Sequence, residues 1–485
     1  LVSSLPSERA QSVMAEGGIN AALNTKDEND SPEEHFTDTI KAACGLADPN
    51  AVWGMTQAAP ELVHWLLKLG VKFNMSGYDD VDLRNFGGQK KKRTAFAQSD
   101  TGKQIMTAMI DAVRRKEASG MVERFSHHSF LTLRLCGNIC CGCVIRDEYS
   151  QETVELPGDA VIVATGGMHG LFGNTTGSLS NTGEVTAELF RLGVPLANGE
   201  MIQYHPTTVK CGGKRMLISE AARGEGGRLF AMKDGKQWYF MEEKYPELGN
   251  LMPRDITARE IWKVSHESEV FLDMTEISEE IISNKLSGLA DDCMTYLHKD
   301  IRKEPVSVLP GIHYFMGGIL VDEQHRTPIQ NLYAAGECCA QYHGANRLGG
   351  NSLLGALYGG RVAAKSACEQ ADVVDLSCAT QIDFPPASQI SEIKQLNKVM
   401  QETMGVIRNE NTLLNGIQTV QALTGNLPLL GMAVLKSALA RKESRGAHWR
   451  EDYPKSNDDD YLKTTVARFD GKQIQISFVP VPERR

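Results

Sequence analysis

Apolar residues recur at helical spacing in "TGKQIMTAMIDAVRR" (101–115), where Ile105, Met106, Met109, Ile110 and Val113 share one face, so the pattern predicts an amphipathic helix. "SLLGALYGGRVAAKSA" (352–367) predicts a second helix whose glycines permit close packing. Short β-branched runs lie between them. "DAVIVATGG" (159–167) predicts a buried parallel strand feeding a ligand-binding loop, with "TVEL" (153–156) as its partner strand. "NLYAAGECC" (331–339) predicts another short strand, ending in Gly336-Glu337. Strand, glycine loop and helix in that order is the doubly wound α/β pattern. In "CGNICCGCVI" (136–145), Cys141, Cys143 and Ile145 alternate with their neighbours after a Gly-Asn turn, which predicts one face of a strand.

Residues 206–312 lose that rhythm and are expected to form an inserted domain. After "DFPPA" (383–387), Ile393, Leu396, Met400, Met404 and Ile407 recur at helical spacing, predicting a helical bundle with methionines as core filler. The acidic "NDDD" (457–460) is expected as a solvated turn, and "KKKR" (90–93) as an exposed basic loop.

Composition narrows the class. The 485 residues allow two to four domains with a large core, and 41 % hydrophobic with 23 % charged content is that of an ordinary globular protein. A net charge of −10 gives no reason to expect nucleic acid. No uninterrupted apolar run reaches about 18 residues, so no membrane span is expected, and no signal segment opens the chain. It begins at Leu1 rather than Met and is expected to be a fragment or a trimmed product. Iron–sulfur ligation by the eleven cysteines would need several thiolates around one centre, and the strand pattern argues against it. Free, buried cysteines of a cytoplasmic protein are expected instead, with no metal site. No GxGxxG follows a strand, and "DTGKQ" (100–104) lacks the earlier glycine of a phosphate-binding loop.

Candidate chemistry lies in five separated stretches: "QYHPTT" (203–208), "LISEAARGEGG" (217–227), "MPRDITARE" (252–260), "GIHYFMGG" (311–318) and "HGANRLGGNSLL" (343–354). They supply His205, Ser219, Glu220, Arg223, Arg254, His313 and Arg347. Any one of these histidines reads as a structural residue, any arginine as a surface or ion-paired one, and Arg254 as a partner of Asp255. Jointly they describe a pocket for a small dianion, because a guanidinium offers a forked donor pair that matches a carboxylate. Arg347, His313, His205 and the Ser219 hydroxyl would hold its carboxylates.

The run "HYFMGGILVDEQHRTPIQNLYAAGECCAQYHGANRLGGNSLLGALYGGRVAA" resembles the flavoprotein subunit of succinate dehydrogenase and fumarate reductase. "HPTTVKCGGKRMLISEAARGEGG", "PRDITARE" and "ARKESRGAHWREDYPKSNDDDYLKTT" resemble the same subunit in the same order. L-aspartate oxidase shares the fold, but its loop reads NRMASNSL where this chain has "NRLGGNSL". The resemblance implies an α/β fold: a split FAD-binding Rossmann-like domain (1–205 and 313–380), an inserted α+β capping domain (206–312), a helical domain (386–455) and a C-terminal tail (456–485). It implies interconversion of fumarate and succinate, with hydride transfer at flavin N5 and Arg254 protonating the other alkene carbon. Glu220 and Arg223 would recharge Arg254, one helical turn holding them with Ser219. His205, Ser219, His313 and Arg347 would polarise the carboxylates, stabilising enolate-like charge. FAD contacts carried over are Ser12, Gly17, Gly18, Ala164, Thr165, Gly166, Glu184, Glu337, Asn351, Ser352 and Leu353, the loop glycines passing close beneath the flavin. An iron–sulfur subunit and a membrane-anchor subunit are the implied partners, on the inner face of the cell membrane.

Two departures qualify this. In "LPSERAQSVMAEGGINAAL" (5–23), Gln11 stands where the family links a histidine covalently to flavin, so FAD is expected to be held non-covalently. Loss of that link, and Glu16 where succinate dehydrogenases carry Gln, favour fumarate reduction. The family also begins with a strand and GxGxxG loop some thirty residues before this segment, so the given chain is expected to have an open sheet edge, no pyrophosphate cradle and weak FAD binding. L-aspartate oxidation, reduction of another unsaturated acid, and a non-catalytic subunit remain the alternatives.

Overall fold

The computed structural model describes residues 1–78, 80–371, 384 and 389–485. Its glycine-flanked strands do pair: Val161–Val163 and Leu332–Ala334 lie parallel, Val163 opposite Ala334. Segments 164–167 and 335–337 therefore leave the carboxyl ends of adjacent strands together, the usual ligand crevice of an open α/β sheet. Helix Asn351–Gln370 follows, and the predicted helix at 101–115 is Thr101–Ala118. A second parallel pair joins Val2–Ser3 to Phe125–Ser126. Among the described residues no strand links the two pairs. Each keeps a free edge, and Val2 and Ile162 are 38 % and 41 % exposed.

Strand partners differ from expectation in one place. Thr153–Pro157 pairs antiparallel with Ile139–Asp147, not with Val161–Val163. A short turn suffices for that pairing, whereas a parallel partner needs a long crossover. The cysteine run does follow a Gly137-Asn138 turn, but burial does not alternate: Cys140 and Cys141 are both fully buried. Register shifts between Arg134 and Leu135, making Cys141 the extra residue of a bulge beside Gly142 (φ +133°). Cys140, Cys141 and Cys143 are free. Cys136, half-buried at the strand end, is disulfide-bonded, which corrects the expectation of free cysteines throughout.

The "KKKR" run is solvated only in part: Lys90 and Lys92 are exposed, but the rest is not. Arg93 is fully buried between Asp30 and Asp38, each 2.9 Å away, and Lys91 reaches Glu34 at 2.8 Å. The run staples the 28–38 segment to the sheet Ile19–Asn20, Thr94–Ala95, Leu83–Arg84.

Chain segment 206–312 is entered through strand Ile202–Cys211 and left through Leu309–Phe315, which pair antiparallel with each other. Beyond them a four-stranded sheet with helices packs on its own apolar core, centred on Leu229, Ile261, Leu272, Leu289 and Val306. Helices Ile390–Thr403, Glu410–Val420 and Asn426–Ala440 share a different core with Leu396, Met400, Leu413 and Leu430. The first stops at Thr403, before Gly405, so Met404 and Ile407 lie beyond it. Part of the expected 313–380 and 386–455 segments falls outside the described residues.

The expected C-terminal tail is an ordered hairpin. Lys463–Phe469 and Ile474–Pro480 turn at Asp470-Gly471 and extend a five-stranded sheet through Leu196–Ala197. "NDDD" supplies a one-turn helix, Asp458–Tyr461, capped by the Asn457 side chain. Buried ion pairs tie this region down. Arg441 contacts Glu200 and Glu443, both at 2.7 Å, and Arg445 contacts Glu443 at 2.8 Å.

Candidate active site

Where the inserted segment joins the sheet, strands Ile202–Cys211 and Leu309–Phe315 bring His205 and His313 together, ring centroids 5.1 Å apart and edge to face. Side chains two apart on a strand share a face. Gln203 therefore points the same way as His205. His313 Nδ1 meets the Thr176 hydroxyl at 2.8 Å, and His205 Nδ1 lies 3.0 Å from the Thr207 carbonyl, leaving His205 Nε2 buried without a partner. Burial first, then Arg254, depresses both histidines well below their ordinary value, so they are neutral imidazoles.

Ser219 caps a single helical turn, Glu220–Gly224, and that turn carries Glu220 and Arg223 three residues apart as expected. Glu220 Oε2 accepts from Arg254 Nε at 2.8 Å and Nη2 at 2.6 Å, while Oε1 accepts from Arg223 Nη2 at 3.4 Å and the Gly87 N–H at 3.2 Å. Burial pulls Glu220 upward, but the two guanidiniums outweigh it and hold the carboxyl below its usual value. Arg254 is the first residue of helix Arg254–Ser265, and its third nitrogen donates to Gln203 Oε1 at 3.1 Å. Gln203 Nε2 in turn donates to Asn346 Oδ1 at 3.0 Å and the Arg347 carbonyl at 2.9 Å. Arg254 is thus paired with Glu220, not with the adjacent Asp255.

Arg347 lies with its guanidinium 4.2 Å from the Tyr314 ring centre, and its Nε is buried without a partner. Burial lowers it to about 9, with Arg254 adding to the shift and the nearby Glu337 and Glu220 carboxylates offsetting only part of it. Unpartnered nitrogens on Arg347 and His205, beside Arg254, leave the site short of negative charge. A carboxylate is the anion that matches the forked donors of a guanidinium. The loop glycines meet protein: a Cβ on Gly349 would come 2.9 Å from Glu220 Oε2, and one on Gly350 (φ +84°) 2.1 Å from Asn20 Oδ1.

The residues carried over for FAD fall in four places. Ala164, Thr165 and Gly166 leave the strand end beside Glu337, whose Oε1 accepts the Phe315 N–H at 3.0 Å and lies 3.8 Å from His169 Nε2. Burial raises Glu337 to about 7. Ser12, Gly17 and Gly18 sit where the Ala15 carbonyl accepts from Gly102, at the start of helix Thr101–Ala118. Ser352 and Leu353 begin helix Asn351–Gln370, whose free N–H groups and dipole suit an electron-rich edge. Asn351 itself is committed inward: Oδ1 accepts from Asn20 at 2.8 Å and faces His35 Nε2 at 2.9 Å, and Nδ2 donates to Thr39. Glu184 opens helix Glu184–Arg191 beside Thr182 and Glu188. The crevice, the buried Glu337 and the helix start have the make-up of a dinucleotide site, and Phe315, Tyr314 and Arg347 connect it to the histidine–arginine cluster. Gln11 is not idle, since its Oε1 accepts the Ser178 N–H at 2.5 Å.

Sequence reasoning overlooked Gln203, Gly87 and Tyr314. Gln203 was signalled by its two-residue spacing from His205, and Tyr314 by its place after His313. A backbone N–H such as Gly87's leaves no mark in a sequence.

To a parallel α/β crevice and a buried arginine–glutamate pair, likeness to known proteins adds the class: a flavin-dependent oxidoreductase acting on CH–CH bonds. An FAD binding domain model matches residues 1–353, and the C-terminal model of fumarate reductase flavoproteins matches 423–484. The succinate dehydrogenase flavoprotein subunit of Bacillus subtilis is 37 % identical, the match covering 100 % of this chain and 93 % of the relative. L-aspartate oxidase of Nostoc is 32 % identical, covering 94 % of this chain and 86 % of that protein. A solved mutant FrdA of E. coli quinol fumarate reductase superposes with a TM-score of 0.90 at 27 % identity, covering 99 % of this chain and 92 % of that one. The chain belongs to the succinate dehydrogenase/fumarate reductase flavoprotein family.

Proposed function

We propose that the protein interconverts fumarate and succinate and favours fumarate reduction. The observation that carries this is the doubly hydrogen-bonded Arg254–Glu220 pair, held beside Arg347 and two neutral histidines. FAD would be held non-covalently, because Gln11 stands where the family has a linking histidine, and in its reduced form would supply hydride chemistry at one alkene carbon. Arg347, His205, His313 and Ser219 hold the two carboxylates and stabilise charge building on them. Arg254 gives its proton to the other carbon, and Glu220 with Arg223 returns one to it. Ser12, Gly17, Gly18, Ala164, Thr165, Gly166, Glu184, Glu337, Ser352 and Leu353 hold FAD, Asn351 shaping the loop behind them. Electrons arrive through an iron–sulfur subunit, with a membrane-anchor subunit placing the complex on the inner membrane face. No helix among the described residues is long and apolar enough to cross a membrane.

L-aspartate oxidation is the second reading, favoured by the likeness to the Nostoc enzyme. Fumarate-dependent oxidation of a reduced viologen by the FAD-loaded protein, run beside L-aspartate oxidation, separates the two. Turnover with fumarate supports the first reading. Activity with aspartate alone replaces it with the second.

A further inference from the structure

The turn 445–450 touches both arms of the proposed site without lining it. On one side the Ala447 N–H donates to the Ala345 carbonyl at 2.9 Å, two residues before Arg347. Gly446 (φ +54°) is pressed so close that a Cβ there would come 2.6 Å from the same carbonyl. On the other side the Trp449 ring lies 4.0 Å from the guanidinium carbon of Arg259, which stands on helix Arg254–Ser265, five residues after Arg254. Between them is a cavity of about 10 Å³, lined by Tyr204, Asp255, Ala258 and Val406, with room for about one water. The turn is itself fixed: its Arg445 and His448 backbones bond each other, the Trp449 carbonyl accepts the Arg408 N–H at 2.9 Å, and the Arg408 side chain donates to the Glu200 carbonyl at 2.7 Å.

We propose that Trp449 is a positioning residue, latching helix Arg254–Ser265 to the C-terminal domain through Arg259 and so fixing Arg254 relative to Arg347. The two arginines come from separate parts of the chain, 93 apart in number, and Gln203 bridges them at the site, bonded to the Arg254 side chain and the Arg347 carbonyl. A second support, behind the helix, is what keeps the capping segment from swinging. A flat guanidinium over an indole face is the strongest common cation–π arrangement, and lysine does not reproduce its planar stacking. This rests on the reading of Arg254 as the proton donor.

The FAD-loaded full chain is assayed with fumarate and reduced viologen, beside reoxidation of its reduced flavin by dioxygen, which needs no proton from Arg254. Trp449→Ala lowers kcat for fumarate by about 10- to 100-fold, the range expected when a reacting group moves by about 1 Å. Dioxygen reoxidation, FAD content and melting temperature stay near the parent, Trp449→Phe restores most of kcat, and Arg259→Lys falls between. Parental kcat in Trp449→Ala overturns the proposal. So does a loss that dioxygen reoxidation shares, or one that phenylalanine leaves unrepaired. Arg254→Ala is run alongside. Full activity there overturns the proton-donor reading and the latch with it, whereas a failure confined to the Trp449 variants leaves that reading standing.

Discussion

Gln203 shows what one neutral side chain can hold. Its oxygen accepts from Arg254 and its nitrogen donates to the Arg347 loop, so it spans two buried cations that otherwise repel. Replacing it by leucine leaves a buried guanidinium N–H unpaired, a loss of about 1.5–3 kcal/mol for a charged hydrogen bond. Gln203→Leu is accordingly expected to cut kcat/KM for fumarate by about 10- to 100-fold, measured by steady-state viologen oxidation. Glu16 carries the pH dependence. Its Oε2 is buried without a partner, and burial first, then Asp292, raises its carboxyl from 4.5 to about 8. The folded protein therefore keeps a proton that the unfolded chain gives up, and stability falls as pH rises from about 4.5 to about 8. Glu16→Gln removes that fall, so its melting temperature gains on the parent progressively across this window and holds the gain above it. A parallel shift of both curves with pH contradicts the assignment. Charged groups among glycines and prolines were legible from the sequence as one cluster, and the structure does bring His205, His313, Glu220, Arg223, Arg254 and Arg347 together. Gln203 was overlooked although its two-residue spacing from His205 was a signal, because a neutral amide on a strand reads as solvent-facing until its neighbours are known.

At the scale of elements, the loop 343–350 works through closeness rather than flexibility. Gly349 abuts Glu220 and Phe86, and a methyl group there has the Phe86 side chain on one side and Glu220, the Arg254 partner, on the other. Gly349→Ala is expected to displace the Glu220 carboxylate and abolish most fumarate turnover, with melting temperature lowered by only a few degrees. Unchanged turnover would mean that Glu220 tolerates the shift. Helices at 101–118 and 351–370 were readable from apolar spacing, since a 3.6-residue period needs no knowledge of partners. Strand pairing was not readable in the same way. Thr153–Pro157 found the cysteine hairpin, and the C-terminal hairpin entered a sheet built from residues 196 and 318. Its Asp470-Gly471 turn between alternating residues was a hairpin signal passed over.

For the molecule as a whole, two apolar cores lie on either side of the site, one under the capping segment and one under the C-terminal helices. The C-terminal core is joined to the FAD-binding sheet by charge: Arg441, Glu200 and Glu443 are all fully buried, and Arg441 also donates to the Thr465 hydroxyl at 2.7 Å. Removing one member leaves an uncompensated buried charge, so Arg441→Ala is expected to cost about 3–5 kcal/mol in chemical denaturation. A loss under about 1 kcal/mol would show that water reaches the network. This arrangement explains why "ARKESRGAHWRED" is so rich in charge, which composition alone assigns to a surface.

The central claim is that Arg254 delivers the proton while other groups bind the dianion. Fumarate affinity and turnover are therefore measured together in the FAD-loaded Arg254→Ala variant, affinity from the change in flavin absorbance. The account predicts measurable fumarate binding, through Arg347, His205 and His313, with turnover reduced by at least about 10²-fold, the lower range for losing a positioned acid. Turnover close to the parent at saturating fumarate would contradict it.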